Sequence, residues 1–244
     1  MTSRPRSRTL ERIATQPPAP DPDGQAEPHN IGTLNEGSLH ASLKDWVAQP
    51  GDRFEVPLKG FIIDVVRDDL LIEIQTGSIA AMGRKLDHLL NEHRIRIVHP
   101  LAAVRWLEQP GRPRRRSPAK QTMWNIFDQL MSIPTLLDHP NLELEVVMVA
   151  ETELRSGTDM VQRGRRGRVL DRQLQEVLDT RLFSHTDDLL DMLPAGLPRP
   201  WTTEDLANKA GIRRKMAQRV AYTLRTACLI NEIDRTRAGV LYSH

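Results

Sequence analysis

The spacing of apolar residues changes period several times along the chain, and each change marks an expected element. Leu39, Leu43, Trp46 and Val47 recur at helical spacing behind Thr33-Leu34-Asn35-Glu36, a Thr-x-x-Glu capping box, so a helix is expected there, ending at Pro50-Gly51-Asp52. The next runs, Phe54 to Val66 and Leu70 to Gln75, are β-rich and flank the polar Arg67-Asp68-Asp69, which reads as a hairpin. After Thr76-Gly77-Ser78 the stripe Ile79, Met82, Leu86, Leu89 and Leu90 predicts a second helix. A strand is expected at Ile95-Arg96-Ile97-Val98, stopped by Pro100, and another over Val104 to Leu107.

Residues 110 to 120 hold three prolines and Arg112, Arg114, Arg115, Arg116 and Lys120, and are expected to form an exposed basic loop. A helix from Gln121 to Leu137 and a strand from Leu142 to Ala150 complete a first domain. Arg163, Arg165, Arg166 and Arg168 mark a second basic loop. Beyond it, Leu170, Leu174, Val177 and Leu178 follow a helical pattern leading to Asp187 through Leu193. Thr202-Thr203-Glu204-Asp205 starts another helix ended by Gly211, and Arg213 to Ala227 a longer one. Leu229 to Asp234 and Val240 to Tyr242 then flank a turn, so three helices are followed by a hairpin, the winged-helix order. The expected divisions are a tail at 1–32, a domain at 33–156, a linker at 157–168 and a C-terminal domain at 169–244.

Composition narrows the classes. The tail, with Arg4, Arg6 and Arg8 followed by the Pro-rich run from Gln16, has little to bury and is expected to be disordered. A single cysteine in 244 residues excludes an intramolecular disulfide framework and a multi-cysteine zinc site, so Cys228 is expected as a small core residue in a reducing compartment. No apolar run approaches the roughly 20 residues that span a membrane, and no secretory signal is visible; a cytoplasmic protein is expected. The net charge of +2 says nothing about partners until the charges are located.

On the expected hairpin, Asp64 lies nine residues before Glu73 across a turn, which brings the two carboxylates close on neighbouring strands. Such a pair repels itself unless a cation intervenes, and hard oxygen ligands of this kind suit Mg²⁺. The competing reading is the solvated face of an antiparallel sheet. The order helix, hairpin, helix, strand, with Glu36, Asp64 and Glu73-Ile74-Gln75 in sequence, resembles the PD-(D/E)XK nuclease superfamily over roughly residues 33 to 100. The resemblance implies a restriction-endonuclease-like α-β-β-α-β core within the α/β class and a Mg²⁺ (or Mn²⁺) cofactor. It further implies that Asp64, Glu73 and the Ile74 carbonyl bind the metal, that Glu36 reaches it through water, and that Gln75 positions the attacking water. Gln75 stands where the family usually carries Lys; in some members that Lys has moved to the next helix, where Lys85 could serve. The eight histidines are scattered and receive no role.

From Arg199 to His244 there are nine Lys and Arg against four Asp and Glu. Arg213, Arg214, Lys215 and Arg219 crowd the front of the expected recognition helix, and Arg235 and Arg237 sit at the wing tip, where helix-turn-helix proteins touch base edges and phosphate. DNA is therefore the expected partner and a membrane is not, while a homodimer stays open. The function expected is hydrolysis of DNA phosphodiester bonds, with a non-catalytic DNA-binding regulator and a protein-docking winged helix as alternatives.

Overall fold

The computed structural model describes residues 37–157, 167–237 and 239–243. The 1–32 tail, the Thr33–Glu36 capping box with Glu36 itself, and Arg163, Arg165 and Arg166 lie outside the described residues.

The chain is a mixed α/β structure built on a seven-stranded sheet. Helix α1 (Ser38–Val47) opens at Gly37. Strands β1 (Arg53–Leu58), β2 (Phe61–Arg67) and β3 (Leu70–Ile74) form an antiparallel meander. The run from Phe54 to Val66, expected as one strand, thus folds back on itself. Lys59 and Gly60, both at positive φ, make the two-residue turn whose twist matches flanking strands.

A 3-10 turn (Ile79–Met82) and helix α2 (Gly83–Leu89) return the chain to β4 (Arg94–Gln109), which runs parallel to β3. The sheet order is β1-β2-β3-β4-β6-β7, with β5 (Arg112–Arg116) paired to the far part of β4. Because β6 (Leu142–Arg155) pairs with β4 from Ile95 to Glu108, β3 and β5 must share β4's other edge, one after the other.

Three expectations are corrected here. Pro100 does not stop β4. The Val98 carbonyl accepts the Gln75 N–H, so Pro100, two residues on, turns its missing N–H to the same side, just where β3 has ended. Residues 112–116 are not a loop but an edge strand, a position that tolerates Pro113. The Arg114 guanidinium lies 4.9 Å from the Trp106 ring centroid and donates to Thr152 Oγ1 at 3.0 Å, so even these arginines find surface to lie on.

The third correction concerns 169–183, a long strand β7 (Val169–Phe183) antiparallel to β6 rather than a helix. Its pairing skips Leu178, Gln175 and Leu170, an extra residue at each of three bulges. Each bulge breaks the two-residue alternation, so Leu174 and Val177, which pack against the core, fall three apart and imitate helical spacing. The sheet therefore extends to Phe183, past the division expected at 157–168.

Both faces of the sheet are covered. On one, α1 buries Leu39 and Leu43 against Val65, Ile72, Ile74, Val98, Val147 and Val149. On the other, α2 and the short helix α3 (Phe127–Leu130) pack on Ile97, Leu101, Leu144 and Val146. The expected Gln121–Leu137 helix is confined to a 3-10 turn and α3.

The same apolar cluster continues into the C-terminal elements. These are a 3-10 segment (Thr186–Met192), α4 (Thr203–Ala210), α5 (Arg214–Thr226) and the hairpin β8 (Asn231–Thr236) and β9 (Gly239–Ser243). The Thr202 capping box forms as expected: Thr202 Oγ1 accepts the Asp205 N–H, and Asp205 Oδ2 accepts the Thr202 N–H at 2.8 Å. Gly211, at φ 64°, caps α4. Cys228 is exposed, not a core residue: it holds the left-handed position that ends α5. Among the described residues no helix is long and apolar enough to cross a membrane.

Candidate functional site

Strand β3 is buried at all five positions, because α1 covers one face and α2 the other. Glu73 sits in this strand between Ile72 and Ile74, which face α1, so its side chain goes to the α2 face. It is only 7% exposed, which removes the solvated-face reading. Lys85, on the first turn of α2, meets it there: Lys85 Nζ donates to Glu73 Oε1 at 2.6 Å and to the Ile62 carbonyl at 2.6 Å.

Asp64 comes from β2. Its Oδ2 accepts the Ile74 N–H at 2.8 Å, and its Oδ1 lies 3.3 Å from His40 Nε2 on α1. Four elements, α1, β2, β3 and α2, thus place His40, Asp64, Glu73 and Lys85 around one spot.

The two carboxylates sit in unlike fields. Burial pushes the Glu73 carboxyl up to about 7; Lys85 opposes this and the Asp64 charge adds to it. Burial also works against charge on Asp64, but the His40 ring, the Ile74 N–H and the Lys85 charge outweigh it and hold that carboxyl below its ordinary value. That pattern, one carboxylate firmly ionised beside one poised near neutrality, is how paired carboxyls divide acid and base roles.

Gln75 is elsewhere. Its Nε2 donates to the Ser78 carbonyl at 2.6 Å and ties down the β3–α2 loop. Between the two residues that the sequence offered for the Lys position, Lys85 is the one in contact with Glu73. His40 was missed, because one histidine on an amphipathic helix carries no signal until the strand it faces is known.

His99 was missed too. Its ring is buried, with Nδ1 2.7 Å from the Gln75 carbonyl, and burial holds it below the ordinary histidine value against that hydrogen bond.

The oxygens of Asp64 and Glu73 are hard donors, and Mg²⁺ commonly takes one or two carboxylates and completes its shell with water and phosphate oxygens. The pair fits such an ion. Among the described residues no group of three or more His, Cys, Asp and Glu side chains is arranged to hold a metal, so the chain itself would supply few ligands. Glu36 lies outside the described residues.

The basic residues of the C-terminal elements divide as well. Arg213, Arg214 and Lys215 are exposed at the front of α5. Arg219 is not with them: it pairs with Asp128 of α3. At the hairpin tip Arg235 is 73% exposed, with its guanidinium 3.2 Å from Glu232, and Arg237 is exposed. The hairpin is joined to the start of α4 by reciprocal Trp201–Tyr242 backbone hydrogen bonds of 3.0 and 2.8 Å.

The half-buried Asp64 and the buried Glu73, on neighbouring strands, thus lie beside a lysine from the following helix within a mixed α/β fold. The chain belongs to the family described as Domain of unknown function (DUF8091), whose model matches residues 37–184, from the residue that caps α1 to the one after β7. It is also similar to a protein of Treponema pallidum (strain Nichols) described as uncharacterized, with 34% identity over 185 residues, 72% of this chain and 73% of that protein. No solved structure matches.

Proposed function

We propose that the chain is a metal-dependent nuclease of the PD-(D/E)XK kind that hydrolyses DNA phosphodiester bonds, with its lysine supplied by α2 instead of by the strand. The observation that carries this reading is the convergence of Asp64, Glu73 and Lys85 from β2, β3 and α2, with Lys85 Nζ 2.6 Å from Glu73 Oε1. The element order α1-β1-β2-β3-α2-β4, with β4 parallel to β3, supports it.

In this reading Asp64, Glu73 and the Ile74 carbonyl hold Mg²⁺ or Mn²⁺. When bound, such an ion lowers the pKa of water and offsets charge on the phosphoryl oxygens. The chain does the rest. His40 and the Ile74 N–H fix the Asp64 carboxylate, and Lys85 keeps a positive charge beside Glu73, where negative charge grows as water oxygen bonds to phosphorus. As the O–P bond to water forms, the P–O ester bond breaks; the attacking water gives up a proton to solvent and the leaving oxygen takes one up from solvent.

The C-terminal elements read as a winged helix that delivers this site to DNA. Arg213, Arg214 and Lys215 would meet the groove and Arg235 and Arg237 the phosphates. Arg219, tied to Asp128, drops out of that set.

One observation favours the rival reading of a non-catalytic DNA-binding regulator: Gln75 is engaged with Ser78, away from the acidic pair. Nicking of supercoiled plasmid DNA separates the two. The nuclease requires Mg²⁺- or Mn²⁺-dependent nicking that disappears in Asp64→Asn and in Glu73→Gln. Binding without nicking gives the regulator, and nicking that survives both substitutions removes the site.

A further inference from the structure

Beyond the carboxylates, β4 carries a second feature. Where β5 lies beside it, Arg105, Arg112, Arg115 and Arg155 line a cavity of about 190 Å³, together with Gln109, Ser117 and one acid, Glu153. The charges do not balance. Arg105 donates to Glu151 Oε1 at 2.6 Å and lies 3.6 Å from Glu153, and Arg155 pairs with Glu153, which is thus shared. The Arg155 Nε–H is buried without an acceptor among the described residues. Arg112 and Arg115, from the edge strand, have no acidic partner among the described residues and add two further charges at the rim.

Four guanidinium groups against Glu151 and Glu153 leave a positive excess, and concave walls focus that potential instead of dispersing it. Guanidinium forks match the paired oxygens of a phosphate better than those of a single-point anion. A structural ion-pair network would not need the two rim arginines, since Glu151 and Glu153 are already matched by Arg105, Arg155 and Arg172.

We infer that this cavity is a phosphate-binding site, and, on the nuclease reading above, that it grips a backbone phosphodiester of the bound nucleic acid away from the point of cleavage. Glu73 is level with Ile97 on β4, and Arg105 lies eight residues further along the same strand. At about 3.3 Å per residue the two points lie roughly 25 Å apart along the sheet, with Glu73 on the α2 face and Glu151 and Glu153, in alternation with Val147 and Val149, on the α1 face.

The test uses the full chain in chelator, so that no cleavage occurs. A labelled DNA duplex of about 20 base pairs is titrated by fluorescence anisotropy over a salt series, and inorganic phosphate by calorimetry, with the wild type and with Arg112→Ala plus Arg115→Ala. Both side chains are exposed, so their removal leaves the packing intact. Loss of the grip on one backbone phosphate should flatten the slope of log affinity against log salt by about 1, while the double Lys variant keeps the slope. If phosphate binding falls and the duplex is unaffected, the site stands with free phosphate as its source. If neither ligand responds to the arginines, the inference is overturned. Plasmid nicking, scored separately with Mg²⁺, decides the nuclease reading whichever way the arginines come out.

Discussion

Lys85 and Glu73, twelve residues apart, hold each other at 2.6 Å across the gap between helix α2 and strand β3. Neither is a surface group: their side chains are 16% and 9% exposed. A pair so placed is a specific device, since desolvating two charges costs more than a surface pair returns.

Loss of the lysine should therefore cost activity, not merely affinity. Lys85→Met is expected to lower the nicking rate by about 10²-fold or more, as when one preorganised charge is removed from a phosphoryl or oxyanion site. Gln75→Ala, which loosens the Ser78 loop only, should stay within roughly tenfold. Equal losses from the two changes would return the water-positioning role to Gln75.

Stability should depend on pH through Glu73. Its carboxyl titrates at about 7 in the folded chain against an ordinary 4.5, so between these values the folded state holds the extra proton. The sign follows: stability is highest below the lower value and falls as pH rises through the window, by roughly 3 kcal/mol for a fully realised shift. Urea unfolding in chelator at pH 5 and pH 8 reads it, and Glu73→Gln should flatten the difference. Added Mg²⁺ should stabilise more at pH 8, where the cation meets a charged carboxylate.

Cys228 ends α5 as Gly usually does. At φ 59° it donates its N–H to Arg225, and Leu229 donates to the Leu224 carbonyl, the paired bonds of a Schellman ending. A residue with a Cβ is strained there, so Cys228→Gly should raise stability by about 0.5 to 1 kcal/mol. Unchanged or lower denaturation midpoints would show that the thiol makes a compensating contact.

Glu153 anchors the arginine cluster between β4, β6 and β7, with its side chain 2% exposed. Glu153→Ala leaves Arg105, Arg155 and Arg172 facing one another, and a loss of about 3 to 5 kcal/mol is expected, the usual penalty for stranding buried charge. Simultaneous replacement of Arg155 by Met should recover part of it, measurable as coupling in a double-mutant cycle.

What the sequence made legible was local. The Thr202–Asp205 cap, the Gly211 stop and the β8–β9 hairpin depend on a few adjacent residues, and they formed where expected. Asp64 and Glu73 fall on neighbouring strands, as pairing across one turn requires. The misreadings needed knowledge of neighbours. Pro100 is harmless only because β3 has already ended beside it, and the helical spacing in β7 comes from bulges set by its register with β6. His40 acquires a role only when α1 lies over β2. The arginines of 112–116 acquire order only when β4 outruns β3 and leaves an edge to pair with.

The sixteen-residue strand β4 carries both the acidic pair's neighbour and the arginine hollow on one continuous backbone, with its register shifting against β6 near Ala103 and against β5 near Glu108. It acts as a fixed gauge. No hinge lies between its two ends, so the distance between the acidic pair and the arginine hollow is built into the peptide repeat itself, and insertion or deletion within β4 would keep both on their present faces only in steps of two residues.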